Sequence, residues 1–162
     1  MKRLSVARAR ARMLTRMYRA GRPSRMARVL NRIAEVQHSY GIAPAAWVTL
    51  EVPGRRTGRL VSCPLVVADY EGRRYLVGMF GRDTNWVRNV RAAGGRAVLR
   101  HGASEAVQLD EVETGQRAPI LRRYLAVAPG ARPHLPVPMD APLAEFERIA
   151  ADFPVFRIRR RT

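Results

Sequence analysis

Two short stretches carry residue types suited to an anionic, planar ligand. The first is Gly54-Arg55-Arg56-Thr57-Gly58-Arg59. Glycines let a backbone approach a ligand closely, and exposed N–H groups in such a turn form a concave site for anions. Arginine forks and a threonine hydroxyl add donors matched to phosphate or carboxylate oxygens. A solvated hairpin turn with arginines for solubility would use the same residues, so spacing alone leaves both readings open. The Walker spacing and its closing Lys-Ser/Thr pair are missing, so the turn is not a P-loop. The second stretch is Gly81-Arg82-Asp83-Thr84-Asn85-Trp86-Val87-Arg88-Asn89-Val90-Arg91. On a helix Trp86 sits beside Asn89 and Val90. A tryptophan and an asparagine near a helix start can pack a ring and a polar edge of a ligand. Trp86 and Val90 as plain core residues would satisfy the same pattern.

Other chemistries find less support. His38, His101 and His134 do not stand in ligand spacing with another histidine or an acid, so no metal site is expected. A nucleophile elbow of the form G-x-S-x-G is missing. Cys63 falls inside a predicted strand and reads as a small hydrophobe. As the only cysteine it excludes an intrachain disulfide framework and a thiolate zinc cluster, and a reducing, cytosolic setting fits.

The elements that must position these residues follow from periodicity and breakers. A helix is predicted over Arg3–Arg19, with Leu4, Ala7, Ala11, Leu14 and Tyr18 recurring at three- and four-residue steps beside a stripe of arginines. Gly21-Arg22-Pro23 ends it. A second helix is predicted from Ser24 to about Gly41. From Ala46 the pattern turns to strands: Ala46–Val52, Arg59–Asp69, Arg73–Phe80, the hairpin Arg96–His101 and Ala103–Val112, and a closing Phe153–Arg159. Helices are predicted at Asn85–Ala93, Gly115–Val127 and Pro142–Ala151, the last capped by Asp140. Six strands with interspersed helices and no regular βαβ alternation indicate an α+β fold, an antiparallel barrel rather than a doubly wound sheet.

The chain has 162 residues and a formal net charge of +17, and its length suits one domain. The charge is concentrated at the start. Residues 1–32 hold eleven basic and no acidic residues, while the remainder holds nineteen basic and thirteen acidic ones. Of the thirty basic residues, all but Lys2 are arginines. No stretch approaches the roughly 20 apolar residues that span a bilayer. The basic start continues into arginines rather than an apolar stretch, so a secretory leader is not expected.

Taken together, the two stretches resemble the deazaflavin-dependent nitroreductase family, which shares the split β-barrel of FMN-binding proteins. The resemblance rests on Gly54-Arg55-Arg56-Thr57-Gly58 after a strand, Pro64-Leu65 in the next strand, Trp86-Val87-Arg88-Asn89 on a later helix, and the closing Phe153-Pro154-Val155-Phe156. It spans about Trp47 to Arg159. It implies a split barrel of about six strands with flanking helices over residues 45–162, preceded by a basic helical extension, 1–44. It also implies coenzyme F420, a deazaflavin, as cofactor. Arg55, Arg56 and Thr57 would hold the phosphate and acidic tail. Val61 stands where the family commonly has an arginine, which brings Arg59 into that role. Ser62, Pro64 and Leu65 would lie along the cofactor-facing strand. Val77, Gly78, Met79, Phe80 and Gly81 would line the ring, Asn85 and Trp86 would close its pocket, and Arg88 or Asn89 would support the tail or the loop. His134 is the candidate for the substrate pocket.

The implied reaction is hydride transfer to a quinone, a nitro compound or another conjugated electrophile, with no side chain as covalent catalyst. The rivals are FMN in the same barrel, a basic nucleic-acid-binding protein, and a barrel that binds an apolar ligand without catalysis. Against nucleic acid, no helix-turn-helix, RNP or zinc pattern is present. The arginine stripe of residues 1–32 also suits an anionic membrane surface at the inner face of the membrane. A homodimer is a further expectation of the barrel class.

Overall fold

A computed structural model describes residues 45–162, together with one short antiparallel pairing of Tyr18–Arg19 (β1) with Arg22–Pro23 (β2). Tyr18 and Arg19 therefore sit in a strand rather than at the end of a helix, where Gly21 and Pro23 favour a reversal. The rest of the two predicted helices, the arginine stripe and the membrane-facing surface expected of it lie outside the described residues.

Seven strands form the main sheet: β3 (Trp47–Pro53), β4 (Leu60–Val66), β5 (Ala68–Tyr70), β6 (Arg73–Val77), β7 (Arg96–His101), β8 (Ala103–Glu111) and β9 (Val155–Arg160). Their order is β4-β3-β7-β8-β9-β6-β5, and every pairing is antiparallel. The two outermost strands, β4 and β5, are separated in the chain by Val67 alone. One residue cannot span a flat sheet of seven strands about 4.8 Å apart. The sheet therefore curls until its edges meet, which is a split barrel.

Most predicted elements recur with shifted ends. The strand predicted over Arg59–Asp69 divides at Val67: its N–H still donates to the Ala46 carbonyl at 2.6 Å in the β3–β4 register, and from Ala68 the chain pairs with β6 instead. The strand predicted to reach Phe80 stops at Val77: the Gly78 N–H still donates to the Pro154 carbonyl at 2.8 Å, and the chain then reverses as the Gly81 N–H donates to the Gly78 carbonyl. Asp140 does not cap a helix. Pro142 holds the N-cap position of α3 (Leu143–Ile149) without a side-chain cap, and Asp140 stays exposed two residues earlier.

Alternation along the strands builds two cores. Val48, Leu50 and Val52 of β3 point into the barrel with Leu76, Leu99, Val107 and Phe156, and helix α1 (Asn85–Ala92) inserts Trp86, Val87 and Val90 among them. On the outer face Tyr75, Val77 and Val155 meet α2 (Ala118–Val127) and α3 through Leu121, Tyr124, Leu125 and Phe146. Burying each such side chain stabilises the fold by about 1.5–3 kcal/mol. Between the layers Arg117 is buried. It donates to the Val112 carbonyl at 2.8 Å, the Ala150 carbonyl at 3.1 Å and Glu111 Oε1 at 3.2 Å, tying the end of β8 to both helices.

Candidate functional site

The turn between β3 and β4 is a tight loop held by its own backbone. The Gly54 N–H donates to the Arg59 carbonyl and the Gly58 N–H to the Gly54 carbonyl, both at 2.8 Å. Gly58 has φ +69°, a conformation that favours glycine. A side chain at Gly54 would meet the Arg59 carbonyl at 3.2 Å and Val61 at 3.3 Å, so the loop closes only around a glycine. The Arg59 N–H donates to Thr57 Oγ1 at 3.3 Å, which leaves the hydroxyl proton of Thr57 to be donated elsewhere. Arg56, Thr57 and Arg59 are exposed, while Arg55 is half-buried. The sequence holds no acidic residue between Glu51 and Asp69, and Glu51 is engaged by Arg100 at 3.0 Å. Among the described residues Arg56, Arg59 and Arg88 make no ion pair.

One side chain joins this turn to the second stretch. Asn89, buried on α1, accepts through Oδ1 from both the Arg55 N–H at 3.2 Å and Arg55 Nη1 at 2.9 Å. Asn89 lies five residues beyond the N-cap Thr84, about 7.5 Å along the helix axis. The turn and the loop that leads into α1 are thus neighbours, bridged by one helix. That loop, residues 78–84, is a series of reversals. The Gly81 N–H donates to the Gly78 carbonyl at 2.9 Å, and Gly81 adopts φ +91°. Thr84 does not cap α1; its hydroxyl donates back to the Gly81 carbonyl at 2.9 Å. At Gly78 a side chain would collide with Val87 at 3.1 Å and Pro154 at 3.3 Å, so the loop rests directly on α1.

The other residues singled out by the sequence are distributed as follows. Val77 and Gly78 are buried, whereas Met79, Phe80, Gly81 and Asn85 reach partly into solvent and Arg88 is exposed. Trp86 is 6% exposed and packs its ring against Phe156, centroids 5.6 Å apart. The alternation of β4 divides its three residues: Leu65 packs on the barrel interior, while Ser62 and Pro64 share the opposite face. Cys63, half-buried, also faces the barrel interior. His134 comes across from the segment after α2. Its ring meets Phe80 edge-on at 4.6 Å, and burial lowers its pKa below the ordinary 6.5. Tyr124, not foreseen, donates its hydroxyl to Met79 Sδ at 3.6 Å beneath the same loop, and burial pushes that hydroxyl's pKa up. The helical period of α2 placed Tyr124 on an inward face, but its partner is 45 residues away and leaves no local signal.

Two concavities lie elsewhere. The larger, about 510 Å³, is walled by Tyr70, Tyr75 and Ile120 with Glu71, Asp110, Glu111 and Glu113 against Arg73 and Arg157. Two of its four carboxylates are already paired, Asp110 with Arg159 and Glu111 with Arg91 and Arg117. The smaller, about 350 Å³, opens between Val48, Val67 and Leu99 with Arg74 and Glu105 paired at its rim. Only the Gly54–Arg59 turn offers several donors without a carboxylate among them, so charge, rather than cavity size, selects the candidate site.

The fold is a split barrel in which an exposed, arginine-rich turn lies beside the loop that leads into α1. The model of the F420H(2)-dependent quinone reductase family matches residues 24–132. The chain belongs to that family, and it is therefore an oxidoreductase dependent on the deazaflavin F420. The match begins at Ser24, ahead of the main sheet. Similar folds occur in solved structures. A protein of unknown function from Agrobacterium tumefaciens superposes with TM-score 0.55 at 16% identity, covering 83% of this chain and 55% of that one. A chain described as a domain-swapped dimer gives TM-score 0.50 at 19% identity, covering 82% and 95%. An F420-H2-dependent reductase gives 0.48 at 20% identity, covering 71% and 95%. No curated protein matches. No helix among the described residues is long and apolar enough to cross a membrane.

Proposed function

We propose that the chain transfers hydride from reduced F420 to a quinone, or to a nitro compound or similar conjugated electrophile, with the site centred on the Gly54–Arg59 turn and the Gly78–Thr84 loop. In this reading residues 45–162 form the cofactor-binding domain and 1–44 an extension of it. The observation that carries the proposal is the double hydrogen bond from Arg55 to Asn89, which sets the donor-rich turn beside the ring-sized loop.

The donor set fits the cofactor. Arg56, Arg59 and the Thr57 hydroxyl are exposed and unopposed by a carboxylate, as a phosphate and an acidic tail require. Arg55 is held in a fixed position by Asn89 and sets the course of the turn from there. Val61 carries no charge beside them, and Arg59 supplies that charge instead. Arg88, on the exposed side of α1, extends the same positive surface. Ser62 and Pro64 would flank the cofactor on the outer face of β4, with Leu65 supporting them from inside. Met79, Phe80 and Gly81 would line the ring over the buried Val77 and Gly78, with Asn85 and the exposed margin of Trp86 at its edge.

When bound, the reduced deazaflavin supplies a hydride from its ring carbon to the acceptor. The protein's part is to orient, to hold the tail and to exclude water. His134, facing Phe80 and held neutral by burial at pH 7, would donate an N–H hydrogen bond to an acceptor oxygen and stabilise charge as it develops there.

Titration of the purified protein with oxidised and reduced F420 tests this reading. Replacing Arg55 and Arg56 together by Ala should weaken binding by about tenfold or more, the cost of charge-assisted bonds to an anion. Turnover against a quinone and a nitro compound then separates the acceptors. No binding to either form, with the double variant behaving as wild type, removes the proposal.

A further inference from the structure

Between Gly81 and the start of α1 the loop is tied to the rest of the protein by a side chain that the reading above does not use. Arg91, in the last turn of α1, donates Nη1 to the Arg82 carbonyl at 3.2 Å. Its other donors, Nε and Nη2, form a two-point pair with Glu111 at 2.9 and 2.7 Å. Glu111 is in turn held by the buried Arg117, which is fixed to the Val112 and Ala150 carbonyls. A chain of bonded groups therefore runs from the two-helix layer through the end of β8 to the backbone of the loop at Arg82. Among the described residues no other hydrogen bond reaches Arg82 or Asp83. The planar guanidinium explains why the residue is arginine. It spends two donors on a carboxylate and one on a carbonyl in a fixed fork, which a lysine ammonium on a flexible stem does not reproduce.

We propose that Arg91, braced by Glu111, is a positioning residue for hydride transfer: it sets the Gly81–Thr84 backbone against which the cofactor ring lies. This rests on the reading of residues 78–84 as the ring-binding loop. The division of labour on α1 is then explicit. Asn89 fixes the turn that takes the tail, and Arg91 fixes the loop that takes the ring. Arg91 acts through the loop and need not touch the cofactor.

The full-length protein carries the test, with wild-type F420 binding measured first. If the wild type does not bind F420, both this inference and the functional reading fall. If it binds, Arg91→Met is compared with Arg74→Met, a control in which an equivalent two-point surface pair with Glu105 is broken far from the loop. Arg91→Met should weaken F420 binding about five- to tenfold, as loss of a charge-assisted contact to the loop does. At saturating cofactor it should also move the absorption band of the bound ring toward that of free F420, which a merely structural role would not do. Arg74→Met should change neither. Arg91→Lys should fall between Arg91→Met and wild type, and it carries the test if Arg91→Met does not fold. Wild-type affinity and a wild-type bound spectrum in whichever variant carries the test would overturn the inference while leaving the functional reading intact.

Discussion

The Gly54–Gly58 turn and helix α1 meet through a single side chain and differ in almost every other respect. The turn is closed by its own backbone, and its exposed Arg56 and Arg59 make no ion pair. The helix is driven into the barrel, with Trp86, Val87 and Val90 at 6%, 0% and 0% exposure. The sequence marks both segments equally, yet one offers donors at little cost to stability and the other holds the barrel together. Arginine itself shows the same division. Along β6, β7, β9 and the helices, arginines pair with Glu51, Asp69, Glu105, Asp110, Glu111 and Glu145. Such surface pairs contribute about 0–1 kcal/mol each. Arg56 and Arg59 of the turn, and Arg88 on α1, are among the described arginines that make no such pair.

The strongest way to break this contrast is Trp86→Ala. The ring is buried against Phe156 in the barrel core, and its loss should lower stability by about 3–5 kcal/mol, a large share of the roughly 5–15 kcal/mol that holds a domain of this size folded. Denaturant unfolding measures it. A change of less than 1 kcal/mol would mean that α1 does not plug the barrel, and the division between binding turn and structural helix would fail.

Asn89→Leu sits at the junction and should show both behaviours. Removing Oδ1 takes away the acceptor of two hydrogen bonds from Arg55, a cost of about 1–3 kcal/mol. The turn also loses its anchor, so F420 binding should weaken about tenfold beyond any loss of folded protein. Asn89→Asp keeps the acceptor and should restore most of both. A Leu variant that is destabilised but binds F420 normally once folded would show that the turn needs no support from the helix.

Much of this was legible in the residues. The turn is bounded by two glycines and preceded by a stretch rich in β-branched residues, and α1 was predicted over Asn85–Ala93 against the observed Asn85–Ala92. These features are local, set by glycine conformation and helical period. The division at Val67 was not legible, because Val67 has the same character as Val66 and Ala68 and only closure of the barrel forces the chain to change partners there. Asp140 misled for a related reason: it is a good capping residue, but Pro142 fixes where the helix begins. The Arg55–Asn89 link spans 34 residues and Arg91–Glu111 spans 20. Neither leaves a periodic trace, since tertiary closure alone brings the partners together.

The smallest expected effect separates the two halves of the site by pH. The turn offers guanidinium, backbone N–H and hydroxyl groups, none of which titrates near neutrality. Across the loop His134 does titrate, and burial holds its pKa below 6.5. Because the folded value lies below the unfolded one, the associated stability is fully present above pH 6.5 and is lost as pH falls through the folded value. The ring is half-solvated, so the loss should amount to no more than a few tenths of a kcal/mol. The functional signature is sharper. Affinity for inorganic phosphate, a probe of the turn, should follow only the probe's own second ionisation between pH 8 and 5.5. The rate of acceptor reduction should change with a midpoint below 6.5, because a cation then forms beside Phe80 where a neutral donor stood. His134→Gln should flatten the rate profile and leave the phosphate profile untouched. A midpoint that survives this substitution would assign the titration to another group and remove His134 from the acceptor side.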